Sequence, residues 1–145
     1  MKKLVALSGL AVMLMLGSVA GVAQPRSDAK AVPAFPGILK NARYVYVTAM
    51  DGPEFSPELL REDREAISDV QNALREWGKY IVVYEPGQAD MILQVQRRGS
   101  EDILAVYRPQ SDIYIWRVTG QGGLDHGELG FMNELRGAVE KAAKK

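Results

Sequence analysis

The 145-residue chain carries 18 basic and 18 acidic residues, one histidine and no cysteine. The missing cysteine excludes disulfide staples, thiolate metal sites, a cysteine nucleophile and lipid attachment through a thiol. The paired bases inside the domain, Arg97-Arg98, make no basic stripe of the kind that neutralises phosphates, so nucleic acid is not an expected partner.

The chain opens with MKKLVALSGLAVMLMLGSVAGVAQ: two lysines, an apolar run from Leu4 to Leu16, and small residues ending at Ala23. That three-part pattern predicts a signal peptide over residues 1–23, and hence a periplasmic or extracellular protein. A membrane span is not expected, because it needs about 20 consecutive apolar residues and this run is shorter and broken by glycine. Cleavage removes Lys2 and Lys3 and no acid, so the 18 basic and 18 acidic residues become 16 and 18 and the mature chain is slightly acidic. Residues 24–40, proline-rich at QPRSDAKAVPAFPG, read as a flexible leader, and residues 41–145 as a single domain. About 122 mature residues suffice for one core, since a domain near this size buries roughly two-thirds of its unfolded surface.

In ARYVYVTAM, Tyr44, Tyr46 and Thr48 alternate with Val45, Val47 and Ala49, the period of a strand with two unlike faces. Ser56-Pro57-Glu58 predicts a helix start, with a serine oxygen for a free amide, a proline preset for the first turn and a carboxylate at the positive end of the dipole. Leu60, Ile67, Val70, Leu74 and Trp77, with Ala66 and Ala73 between them, form its apolar stripe. Arg61, Glu62, Arg64, Glu65 and Arg75 form its polar face, and Gly78 ends it. Four more strands centre on 81–84, 91–96, 103–107 and 113–119, separated by turn sequences. A second helix over 129–143 buries Met132, Leu135, Val139 and Ala142.

The predicted fold is α+β: a single mixed β-sheet of about five strands in the order β-α-β-β-β-β-α, with both helices packed on one face. The first two strands should form a right-handed parallel crossover and the last three an antiparallel run. The other sheet face then needs an account, and its candidates are Tyr44, Tyr46, Gln94, Gln96, Arg97 and either Tyr114 or Trp116.

Ala89-Asp90-Met91-Ile92-Leu93, the following hairpin, Ile115-Trp116-Arg117 and a terminal helix together resemble small exported bacterial proteins of unknown function and the related domains of some envelope lipoproteins. In those, an ADLIL strand precedes a hairpin and an LWR-like strand. The resemblance spans most of residues 43–143, implies an envelope location and brings no catalytic residue with it. The lipid-attachment cysteine of the lipoproteins is missing here, so no membrane anchor is carried over.

The segment DIYIWRVTGQGGLDHGELG, residues 112–130, raises the question of phosphate binding. Aspartate stands where a Rossmann fingerprint needs its third glycine, no lysine lies between Lys79 and Lys141, and no strand follows. It reads instead as a glycine-rich connection whose Asp125 or His126 caps the last helix. His126 invites acid-base or metal chemistry, and Asp51, Glu54 and Asp125 are the carboxylates that could join it. A zinc site lacks its further ligands, and no serine has a nucleophile-elbow context, so neither metal nor cofactor is expected.

The expected function is therefore a non-catalytic exported module that binds an envelope protein or a copy of itself, through a face that includes Tyr44, Tyr46, Arg97 and Trp116. A small hydrolase or metal-dependent enzyme using Asp51, Glu54, Asp125 and His126 is the alternative. A small-ligand carrier with a pocket lined by Tyr44, Tyr46 and Trp116 is the third.

Overall fold

A computed structural model describes residues 34–145. The expected signal peptide and the leader as far as residue 33 lie outside them. The elements are β1 (Tyr44–Ala49), α1 (Arg61–Trp77), β2 (Ile81–Val83), β3 (Met91–Gln96), β4 (Asp102–Tyr107), β5 (Tyr114–Gly120) and α2 (Gly130–Ala143). This is the α+β fold expected from the sequence, a five-stranded mixed sheet with two helices in the order β-α-β-β-β-β-α.

The strands lie in the order β2-β1-β3-β4-β5. β1 runs parallel to both β2 and β3, while β3-β4-β5 is antiparallel throughout. Val45, Val47, Ala49, Met91, Leu93, Val95, Leu104, Val106 and Trp116 face the helices and form one core with Ala66, Ile67, Val70 and Leu74 of α1 and with Phe131, Met132, Leu135 and Val139 of α2. Each large apolar side chain buried there contributes roughly 1.5–3 kcal/mol. Phe35 and Leu39, around a 3-10 turn at Gly37–Leu39, belong to the same core. The fold therefore begins before residue 41.

Two helix starts differ from expectation. α1 begins at Arg61 rather than beside Pro57, because Leu59 enters the core and Ser56 closes a turn instead, accepting the Leu59 amide through its carbonyl oxygen. Arg64 stabilises that turn by donating to the carbonyls of Glu54 and Ser56. α2 has no side-chain cap at all: Leu129 occupies the cap position, and the Phe131 amide donates to the Gly123 carbonyl at 2.9 Å. The end of α1 is as expected, with Gly78 in the left-handed conformation at φ +73°.

Asp90, from the segment that resembles the envelope proteins, has a structural task. Its Oδ2 accepts the amides of Arg43 and Tyr44 at 2.9 and 3.1 Å, and its own amide donates to the Tyr44 carbonyl at 2.9 Å. The backbone hydrogen bonds hold its carboxyl below the usual carboxylate value. One side chain thus ties the start of β3 to the start of β1 and reinforces the register of the parallel pair.

Gly123 is held by close approach. A Cβ there would overlap the Phe131 ring, which lies across the loop. Gly123→Ala is expected to destabilise the fold by about 1–3 kcal/mol through overpacking. Urea unfolding checks this, with Gly127→Ala, whose cost comes only from its φ of +90°, as the comparison.

Candidate functional site

Two regions gather the chemistry-bearing side chains. The first is a polar network where α1, the β3–β4 hairpin and the glycine-rich loop meet. Asp63 stands at i, i+3, i+4 and i+7 to Ala66, Ile67 and Val70, on the apolar stripe of α1, and is only 1% exposed. Its carboxylate accepts the Arg97 amide at 2.8 Å and the Arg98 guanidinium at 2.6 Å. Arg98 reaches on to Asp51 at 2.6 Å. Hydrogen bonding and charge from Asp63, with Asp51 adding to them, outweigh desolvation and raise the Arg98 pKa.

Asp102, also 1% exposed, receives the Arg98 amide at 3.1 Å and the Leu124 amide at 2.9 Å, which fastens the glycine-rich loop to the hairpin. Arg97 does not reach the helix-free face, because its guanidinium donates to Asp69 of α1 at 2.8 Å. Glu101-Asp102 follows Arg97-Arg98 across the hairpin turn, so nearness in sequence points to a local charge pairing. In the structure both guanidinium groups instead pair with acids distant in sequence.

His126 meets a carboxylate that the sequence does not single out. Its Nδ1 lies 3.1 Å from Asp69 Oδ2, the same oxygen that Arg97 engages. Burial pushes the Asp69 carboxyl up, but the hydrogen bonds and charges of Arg97 and His126 together hold it below the ordinary value. Asp51 is taken by Arg98, and Glu54 accepts from Gln71 at 3.2 Å. Asp125 forms the isolated bridge to Glu128 within its own loop. Among the described residues no three His, Asp or Glu side chains converge as a metal-binding group.

His126 borders a groove of about 790 Å³ between α1 and the start of α2. Asp69, Asn72, Ala73 and Glu76 line one wall, a single helical stripe at i, i+3, i+4 and i+7. Its lining offers the imidazole of His126 and the carboxylates of Asp69, Glu76 and Glu128, groups suited to proton transfer. The imidazole side chain is 83% exposed, and at such exposure solvent screens the pair strongly.

The second region is the sheet face opposite the helices. Tyr44, Tyr46, Gln94 and Gln96 stand on it as expected, flanked by Ile81, Val83, Ile92, Ile103 and Ala105. Trp116 does not, since it is buried in the core among the helix-facing residues. A register irregularity at Val106/Tyr107 resets β5, so that Trp116 pairs with Val106 on one face and Tyr114 with Tyr107 on the other. Tyr107 and Tyr114 meet edge to face at 6.4 Å, and the Arg117 guanidinium lies 5.4 Å from the Tyr114 ring centre. Arg117 Nε is shielded from solvent yet has no hydrogen-bond partner among the described residues. Tyr107 and Arg117 are members of this face that the sequence reading leaves out, although alternation from Ile103 and Ala105 points to Tyr107.

Compared with protein-family models, curated proteins and solved structures, the chain has no match.

Because the folded-state pKa of Asp69 is depressed, its ionised form contributes stability above the unfolded carboxylate pKa of about 3.9, and that contribution is lost as pH falls through the folded value. Urea unfolding from pH 7 down to pH 2.5 should show stability falling on the acid side, with a shallower fall for Asp69→Asn. Asp63→Ala removes the acceptor of the Arg97 amide and one of the two acids that hold the Arg98 guanidinium, and should cost about 1–3 kcal/mol at pH 7 in the same measurement.

Proposed function

We propose that the chain is an exported, non-catalytic module that binds a protein partner through the helix-free face of its sheet. The observation that carries this reading is the cluster of Tyr107, Tyr114 and Arg117, with Tyr44 and Tyr46 on the same face. Tyrosine and arginine are the residue types enriched at the energetic centres of protein interfaces, where rigid rings and a stacked guanidinium bury large areas at small entropic cost. Tyr114 and Ile81 are each 49% exposed, which leaves area for a partner to cover.

The face is mixed rather than uniformly apolar, since Gln94, Gln96 and Arg117 are among its partly buried members. That composition favours a separate partner that dissociates over an obligate homodimer, whose buried surface is more apolar. The signal-peptide pattern of residues 1–23 and the resemblance to envelope domains support an envelope protein as the partner and the periplasm or cell exterior as the place.

A hydrolytic reading retains one observation, the contact of His126 with Asp69 beside Glu76 and Glu128 at the groove. It ranks second because the histidine is largely solvated and because Arg97 already occupies the oxygen that would orient it.

Photo-cross-linking tests the first reading. A benzoyl-phenylalanine at Tyr46 or Tyr114 should give one discrete adduct in cells, and the same group at Glu62 on α1 should give none. Arg117→Glu should weaken binding of the identified, purified partner by about tenfold or more. An adduct containing only this chain would replace the partner with self-association, and equal adducts from Glu62 would overturn the reading.

A further inference from the structure

A second cleft, lined by none of the residues of the proposed partner face, lies between the 3-10 turn at Gly37–Leu39 and the last turns of α2. It has a volume of about 730 Å³ and is lined by Ala34, Phe35, Ala138 and Ala142 together with Lys40, Lys141, Lys144 and Lys145. Residues 34–145 contain five lysines in all, and four of them ring this one cleft. No acidic residue lines it. Among the described residues none of the four forms a salt bridge.

The end of a helix accounts for part of this. Lys141 sits in the last turn of α2, where the negative end of the dipole favours a cation. The dipole does not account for Lys40, which belongs to another element, nor for an apolar wall between the lysines. Cations of one sign around an apolar concavity complement a molecule with the opposite arrangement: a chain that fills the concavity and a negative head held at its rim. A free phosphate would leave the apolar wall unused, and a neutral apolar ligand would leave four unneutralised ammonium groups around it.

We propose that this cleft binds a single-chain anionic amphiphile, with the acyl chain against Phe35, Ala138 and Ala142 and the carboxylate or phosphate head on Lys40, Lys141 and Lys144. The lysine stems add to the apolar wall while their ammonium groups stay in water beside the head. The ligand is a monomeric lipid rather than a membrane surface, because the site is a concavity that takes a chain out of water and not a flat basic patch.

Isothermal titration of the purified chain with dodecanoate, kept below its micelle-forming concentration, should show saturable binding at one site per chain. The double variant Lys141→Glu, Lys144→Glu should weaken it by about tenfold or more, since each reversed charge near the head opposes it. Ala142→Trp, which fills the cleft from a partly buried position, should weaken it in a chain that circular dichroism shows to be folded under the titration conditions. Millimolar inorganic phosphate should neither bind nor compete. Equal binding of dodecyltrimethylammonium, undiminished binding by the charge-reversed variant, competition by phosphate alone, or binding only to phosphatidylglycerol vesicles would each overturn the proposal.

Discussion

The fold depends on two carboxylates placed where apolar side chains would ordinarily go. Asp63 and Asp102 are both 1% exposed, and between them they accept the amides of Arg97, Arg98 and Leu124 and the guanidinium of Arg98. A buried carboxylate is costly unless its lone pairs are filled, and a pair of this kind owes more of its effect to specifying geometry than to net stability. Here the geometry specified is long-range: Asp63 ties α1 to the hairpin, and Asp102 ties the hairpin to the glycine-rich loop. In a chain without disulfides these bonds fix the relative placement that apolar contact alone leaves loose.

That placement then determines what each face of the sheet can do. With Arg97 and Arg98 turned toward α1, their charges are spent inside the fold, and the opposite face keeps tyrosines, glutamines and Arg117. The irregularity in β5 completes the division. It lets two neighbouring aromatic residues, Tyr114 and Trp116, serve opposite faces, one as a surface ring beside Tyr107 and the other as the largest side chain fully buried in the core.

Most of the fold was legible because periodicity is a backbone property. The strands around Val45, Leu93 and Leu104 and the stripe through Ile67, Val70 and Leu74 follow from spacing alone. The start of α1 was not, because Ser56-Pro57 fits both a helix cap and a free-standing turn, and only the burial of Leu59 decides between them. The network is hidden for a related reason: Arg97-Arg98 has acids three to five residues away, and nearness in sequence points to a local pairing. One signal did stand in the sequence. Asp63 shares the helical stripe of Ala66, Ile67 and Val70, and an acid on an apolar stripe requires a buried partner. The switch between Trp116 and Tyr114 had no such signal, since both faces of that strand are apolar and one irregularity reverses the assignment.

The glycine-rich loop follows from the same constraint. Its course is set at Leu124, whose amide is held by Asp102 and whose side chain is fully buried, and at Gly123, whose carbonyl caps α2 while its missing side chain admits Phe131. Every one of these contacts is internal, so close packing accounts for Gly123. His126 projects from the part of the loop that these contacts do not hold. Its alignment therefore rests on Asp69, itself fixed by Arg97, and a histidine positioned through one shared oxygen in open solvent has few of the restraints that proton-transfer geometry needs. Better restrained cations lie elsewhere, where Arg117 rests on Tyr114 on the sheet and Arg136 rests on Trp77 between the helices, each with its Nε shielded from solvent.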